Sequence, residues 1–346
     1  MRLEAPGVRI VDVETCDFSL VPAYDTAAVL QAAQPHDAVR YLNSAASRGL
    51  IAQLGVSRRY MTQIPGTQPQ PGRCNALDLA RSAVQRLQRR RAGDLLRLDA
   101  LLFVSTSNPN PCNSQAALLA DTCRISASCI DLKAGCSGGV FGLMQGALLL
   151  QAGCKRVLVV MAENLSQFTP ADDLRMLLTV GDGAACVLLE RTTNGRAGGP
   201  GFLTMIHGTE PALAGTMTVA SRFPPAAPGT RYQYEFRDTN TTAAFVRARW
   251  RSLFCESLAS AGIGRESLAY AVFHQTHAAQ IRDLVTDLQL DPARVPVVVD
   301  EYGNMGTPTF AVALAHIHDK LAPGDRFLLQ AVGGGVSWCA IVAEHA

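Results

Sequence analysis

Cys136 stands in Lys133-Ala134-Gly135-Cys136-Ser137-Gly138-Gly139, directly after Ser128-Cys129-Ile130-Asp131-Leu132 and ahead of an uncharged stretch over residues 140–152. That order predicts a strand, a tight glycine turn carrying the thiol, and a buried helix. A thiol so placed lies near a helix N-terminus, where unpaired N–H groups and the helix dipole favour the thiolate. Far downstream come His274, in Val272-Phe273-His274-Gln275, and Asn304, in Glu301-Tyr302-Gly303-Asn304. Gly333-Gly334-Gly335 follow near the end of the chain. A nucleophile, a base, an amide donor and a backbone free to approach an oxyanion are the parts of acyl transfer through a thioester.

Taken one at a time, these residues have plainer readings. A cysteine among apolar residues is usually a small hydrophobe, and nine of the ten cysteines are expected to be that. Cys136 differs because glycines on both sides let backbone come close to whatever the sulfur attacks. His274 is expected to end a strand and start a helix. His277, three residues on, would then share its helix face and is the false candidate. Asp182, in Gly181-Asp182-Gly183-Ala184-Ala185, is expected to fix a turn. The glycine triplet is no phosphate loop, since no Lys-Ser/Thr follows it and a strand does.

Positioning such groups calls for an α/β scaffold, and short β-rich runs do alternate with longer helical ones. Residues 100–105, 156–161 and 184–189 read as strands, and residues 114–123 as a helix between the first two. The second half repeats the theme with a strand at 269–273, a helix at 276–288 and strands at 326–330 and 338–343. Each half has a strand that delivers polar residues to a following helix: Ser105-Thr106-Ser107 in one, His274-Gln275 in the other. The natural break is the polar, glycine-rich stretch 191–201. It divides the chain into residues 1–195, with the cysteine, and residues 196–346, with His274 and Asn304. Proline-bearing stretches at 61–73 and 221–231 are expected to be rigid connectors or lids. The basic run Arg86-Leu87-Gln88-Arg89-Arg90-Arg91 reads as a solvated helix end.

Bulk properties narrow the function classes. The 346 residues are 48% hydrophobic and 17% charged, enough for a large core. A net charge of +2 argues against nucleic acid or a membrane surface as the main partner. There is no secretory signal pattern and no apolar run of membrane-spanning length, so a cytoplasmic location with reduced thiols is expected. No C-x-x-C pair exists and the seven histidines are scattered, so no metal site is expected.

As a set, Gly135-Cys136-Ser137-Gly138-Gly139, Val180-Gly181-Asp182-Gly183-Ala184-Ala185, His274-Gln275, Gly303-Asn304 and Gly333-Gly334-Gly335-Val336-Ser337-Trp338 resemble the motifs of β-ketoacyl-ACP synthase III, of the thiolase superfamily. Leu54-Gly55-Val56-Ser57-Arg58-Arg59-Tyr60 extends the resemblance over nearly the whole chain. It implies a five-layered αβαβα thiolase fold of two duplicated halves, a homodimer, and a Cys-His-Asn triad of Cys136, His274 and Asn304. It also implies CoA or phosphopantetheine thioesters as substrates and no permanent cofactor. The implied reaction loads an acyl group from acyl-CoA or an acyl carrier protein onto Cys136, with the oxyanion held by the N–H groups of Cys136 and Gly334. A malonyl- or β-ketoacyl-thioester then condenses with it in a Claisen step, its enolate stabilised by His274 and Asn304. Two departures stand out. His274-Gln275-Thr276-His277 replaces His-Gln-Ala-Asn, and residues 48–53 lack the tryptophan and arginine that clamp the CoA adenine. They point to specialised polyketide or fatty-acid-derived metabolism. The alternative is transfer of the acyl group to an oxygen or nitrogen nucleophile without condensation. A papain-like protease is set aside, because its cysteine would lie early in the chain with a tryptophan soon after.

Overall fold

The computed structural model describes residues 1–68, 73–108, 112–192, 200–219 and 233–346. Most of the 191–201 and 221–231 stretches and part of 61–73 lie outside the described residues. The chain opens with β1 (Arg2–Pro6), β2 (Val8–Thr15), β3 (Ala23–Asp25), α1 (Thr26–Ala33), α2 (Ala38–Asn43), α3 (Ala45–Leu54) and β4 (Arg58–Tyr60). The first half continues through α4 (Ala76–Leu95), β5 (Ala100–Val104), α5 (Gln115–Cys123), β6 (Ser128–Leu132), α6 (Gly138–Gln151), β7 (Arg156–Asn164), α7 (Leu174–Thr179) and β8 (Asp182–Arg191). The second comprises β9 (Gly201–Thr209), β10 (Met217–Val219), β11 (Tyr234–Phe236), α8 (Thr239–Ala261), β12 (Leu268–Phe273), α9 (Ala278–Asp287), α10 (Val299–Tyr302), α11 (Thr309–His318), β13 (Arg326–Gly333) and β14 (Ser337–Glu344).

Among the described residues, two five-stranded sheets carry the fold, in the orders β2-β8-β7-β5-β6 and β1-β9-β14-β13-β12. The duplication is visible in the pairing. β5 runs parallel to β7 and β7 antiparallel to β8. Likewise β12 runs parallel to β13 and β13 antiparallel to β14. Every residue of β5 is buried, as befits a strand covered on both faces. Between the sheets lie α6 and α11, whose side chains share one core with both inner faces. Outside the first sheet pack α4 and α5, and outside the second α8 and α9. This is the expected αβαβα order. The halves are also stitched together at the N-terminus, because β1 pairs with β9 of the second sheet while β2 pairs with β8 of the first.

The uncharged sequence of α6 follows from its place in the middle layer. A Cβ at Gly142 would lie 2.8 Å from Val104 and 2.9 Å from Val159, so the helix sits directly on β5 and β7. Its neighbour Gly139 backs onto the Phe310 ring and the Thr307 carbonyl of the other half. The basic end of α4 is not a free solvated face. Arg86, Arg90 and Arg91 pair with Asp12 and Glu14 of β2 at 2.6–3.3 Å, which fastens α4 to the sheet. No helix of the described residues is long and apolar enough to cross a membrane.

Packing at the two kinds of glycine yields a test. Gly139→Ala must displace Phe310 or the Thr307 backbone, an overpacking that costs about 1–3 kcal/mol. Gly93→Ala, on an exposed turn of α4 with nothing within 4 Å, should instead stabilise by up to about 1 kcal/mol. Urea unfolding of both variants measures this, and equal effects would contradict the central-layer packing.

Candidate active site

The strands β5, β7, β12 and β13 end on the side where α6 and α11 begin, and the candidate residues gather at those ends. Cys136 lies in a single 3₁₀ turn, Gly135–Ser137, that leads into α6. Gly135 has φ +57°, and a Cβ there would collide with the carbonyl oxygen of Gly334. From the opposite side, a Cβ on Gly333 would fall 2.7 Å from the Cys136 Cβ and 3.0 Å from its N. The loop between β13 and β14 therefore rests backbone-to-backbone on the cysteine turn. Hydroxyls pin the same contact: Ser137 and Ser337 meet at 2.7 Å, and Ser337 Oγ donates to the Ala134 carbonyl at 3.2 Å. The backbone N–H groups of Gly334 and Cys136 act on the thiol by lowering its pKa.

The sulfur's electrostatics differ from the thiolate expectation. Burial, followed by the charge of Glu163, pushes the Cys136 thiol up to about 11, and the two N–H groups offset only part of that. A helix terminus offers about half a charge, while desolvation and a full carboxylate charge both favour the neutral thiol.

His274 is the residue after β12, and its N–H donates to the Gln330 carbonyl of β13 at 2.8 Å. Its ring is fully buried, and neither Nδ1 nor Nε2 has a partner among the described residues. Burial holds its pKa down at about 4, so the imidazole is neutral at physiological pH. His277 does not share a helix face with it, because α9 begins only at Ala278. His277 is the N-cap of that helix, its Nδ1 accepting from the Gln280 N–H at 3.1 Å.

Asn304 is held by its backbone against the short segment that joins α7 to β8. Its N–H donates to Thr179 O at 2.7 Å and its carbonyl accepts from the Gly181 N–H at 2.9 Å. Its Oδ1 accepts from the Gly306 N–H at 2.9 Å, which leaves Nδ2 as a donor without a protein acceptor among the described residues. Gln275 connects this segment to the histidine. Its Oε1 accepts from Val298 N–H and Val299 N–H at 2.9 and 3.1 Å, at the start of α10, which ends at the turn bearing Asn304. Its Nε2 donates to the Pro296 carbonyl at 2.7 Å. Asp182 pins neighbouring backbone, as expected, by accepting from the N–H groups of Thr62 and Ser166.

Sequence reasoning missed two groups here. Glu163, at the C-terminal end of β7, is fully buried within Coulombic range of Cys136. Tyr234 of β11 is buried beside it, and burial and the same carboxylate push its phenol well above the ordinary range. The available signal for Glu163 was a lone acid closing an otherwise apolar strand. Of the other cysteines, Cys112 and Cys255 are exposed, so the core reading does not fit those two.

The depressed His274 has a consequence for stability. The stability it contributes is complete above the unfolded value of 6.5 and is lost as pH falls from there towards about 4. Urea midpoints at about pH 7 and about pH 5 should therefore fall further for wild type than for His274→Gln, whose amide does not titrate. Equal falls would mean that the ring is not held neutral by burial.

Comparison with known proteins fits this geometry. The family model for 3-oxoacyl-[acyl-carrier-protein] synthase III matches residues 130–209, and that for its C-terminal part matches residues 258–345. β-Ketoacyl-[acyl-carrier-protein] synthase III 2 of Streptomyces coelicolor is 31% identical over 244 residues, covering 69% of this chain and 71% of the relative. The synthase III of Alkalilimnicola ehrlichii is 30% identical over 284 residues, covering 78% and 84%. The crystal structure of β-ketoacyl-[acyl-carrier-protein] synthase III from Thermus thermophilus superposes with a TM-score of 0.80 at 26% identity, over 98% of this chain and 99% of that one. With its two-sheet duplication and the cysteine turn docked on a glycine loop, the chain belongs to the β-ketoacyl-ACP synthase III family.

Proposed function

We propose that this protein is a condensing enzyme that makes a carbon–carbon bond through an acyl-enzyme on Cys136. The observation that carries the reading is the backbone-to-backbone docking of the Gly333-Gly334 loop on the Cys136 turn. It brings backbone N–H groups of both segments close to where the carbonyl oxygen of a thioester attacked by Cys136 would lie, and one such oxyanion donor is typically worth about 3 kcal/mol. In the first half-reaction the thiol attacks the acyl thioester, the carbon–sulfur bond to the carrier breaks, and the thiol proton leaves with the released carrier thiol. In the second, a malonyl-type thioester loses carbon dioxide. Its enolate attacks the acyl carbon, and Cys136 departs as a thiolate that takes a proton from solvent. The Asn304 Nδ2 and one N–H of neutral His274 are the donors for the enolate oxygen. This division of labour predicts separable defects. Cys136→Ala should abolish the acyl mass gain of the intact protein. Asn304→Ala should load normally yet release no carbon dioxide. Acyl mass gain by Cys136→Ala sinks the nucleophile, and wild type that loads but only acylates alcohols or amines sinks condensation.

The donor is proposed to ride on an acyl carrier protein, the reactant that appears in the relatives' names. Residues 48–53 flank an open depression of about 680 Å³ whose charged lining is Arg48 against Asp25 and Asp300. That balance suits a clamp for CoA phosphates poorly. A specialised pathway is proposed on the same ground.

A homodimer through β6 completes the proposal. β6 is an edge of its sheet, Ile130 on it is 39% exposed, and Leu118 on the adjoining α5 is 37% exposed. An open edge with apolar neighbours is a template for a second copy. Ile130→Lys should shift the protein from dimer to monomer in sedimentation; an unchanged dimer would place the interface elsewhere.

A further inference from the structure

Glu163 is used by none of the steps above, yet its carboxylate collects donors from two segments, residues 105–107 and Thr307. Oε1 accepts from Thr106 N–H at 2.9 Å, Thr106 Oγ1 at 3.1 Å and Thr307 Oγ1 at 3.0 Å. Oε2 accepts from Ser107 N–H at 2.9 Å, Ser107 Oγ at 2.5 Å and Ser105 Oγ at 3.3 Å. No lysine or arginine pairs with it among the described residues. Burial pushes the Glu163 pKa up, and these donors, two of them backbone N–H groups that can do nothing but donate, offset part of that rise and favour the ionised form. Its lone pairs are thereby filled. It has none left to shuttle a proton or to hold substrate.

The places it grips are informative. Residues 105–107 extend β5 as His274-Gln275 extend β12, so they occupy the equivalent position in the other half. Thr307 lies three residues beyond Asn304. Its methyl group and carbonyl back onto Gly138 and Gly139, the first turn of α6 behind Cys136. Gly306, at φ +69°, packs against the Glu163 side chain, with 3.4 Å from its ideal Cβ position to Cγ. The carboxylate thus ties the segment bearing Asn304 to the end of β5, and the Thr307 it holds backs onto the first turn of α6 behind Cys136.

We propose that Glu163 is a positioning residue that sets Asn304 relative to Cys136 and lays a fixed negative charge beside the nucleophile. This rests on the reading of Cys136 as nucleophile and Asn304 as enolate donor. The charge acts in the resting state, where it opposes thiolate formation, and loses its target once the sulfur carries an acyl group. Among the described residues, Tyr234 from β11 keeps its proton, with Asp182 of β8 the second buried carboxylate acting on that phenol, and His274 beyond β12 is neutral.

The test is iodoacetamide labelling of Cys136 across pH, read by peptide mass mapping, beside separate rates of acyl loading and of condensation. Glu163→Gln should move the labelling midpoint to lower pH and cut the condensation kcat by about tenfold or more, with loading within about threefold. Glu163→Asp should keep the midpoint near wild type, because the charge remains, while condensation stays slow, because the shorter arm cannot reach both segments. Thr307→Val removes the tie to the Asn304 turn and leaves the charge. It should slow condensation by about fivefold or more with loading and midpoint unchanged. A wild-type midpoint in Glu163→Gln overturns the electrostatic part, and unimpaired condensation in Thr307→Val overturns the positioning part. Where Glu163→Gln does not fold, Glu163→Asp decides the electrostatic part: a midpoint shifted to lower pH despite the retained charge overturns it. Failure of the nucleophile reading looks different: loading would then survive Cys136→Ala, whatever Glu163 does.

Discussion

The contact on which the site depends is backbone against backbone, the 135–137 turn of the first half against the 333–337 loop of the second. Two glycines make it possible. A side chain on Gly135 would strike the Gly334 carbonyl, and one on Gly333 would strike Cys136 itself. At that separation the backbone N–H groups of Gly334 and Cys136 both lower the pKa of the thiol. The sheets must therefore be docked to within the width of a glycine, although Ser137 and Ser337 of the two segments are 200 residues apart in sequence. The middle layer supplies the accuracy, since α6 and α11 share a core with both sheets and leave no freedom to slide.

Duplication explains where the polar groups fall. A parallel strand delivers its C-terminal end to the helix that follows, and each half does this with the same β-strand geometry. The halves then diverged in use. The first places hydroxyls at 105–107 and the nucleophile before α6. The second places a histidine after β12 and an amide before α11. The hydroxyls did not become catalytic groups; they became ligands of a buried carboxylate. Gln275 does the parallel job in the second half by fixing the backbone at 296–299.

That division also explains what could be read before the structure. Cys136, His274, Asn304 and the glycine loop were legible because their chemistry needs particular residue types, and glycine marks where backbone must approach closely. The αβαβα order was legible from strand–helix alternation once the motifs were recognised. Effects that depend on burial were not. The thiolate expectation weighed a helix terminus without the desolvation and the Glu163 charge that outweigh it. His277 looked like a partner of His274 because the helix was expected to start at residue 276, and a two-residue shift of that boundary turns a face-sharing histidine into a cap. Arg86, Arg90 and Arg91 looked like a solvated face because Asp12 and Glu14 are distant in sequence.

Protonation ties these observations to the chemistry. Exchange of one thioester for another consumes no net proton, so a neutral thiol is a sufficient resting state provided the released carrier thiol can take the proton. An imidazole held near 4 is a poor base but a permanent hydrogen-bond donor, and a buried ring with two unpartnered nitrogens is costly unless a substrate group completes it. The Asn304 amide is oriented the same way, with its oxygen satisfied and its Nδ2 open. In the proposed condensation, two neutral donors would stabilise an enolate without a cation that would hold back the departing carbon dioxide's carboxylate precursor. The site is thus built to recognise charge that appears only during the second half-reaction, which is where binding energy lowers a barrier rather than deepening a resting complex.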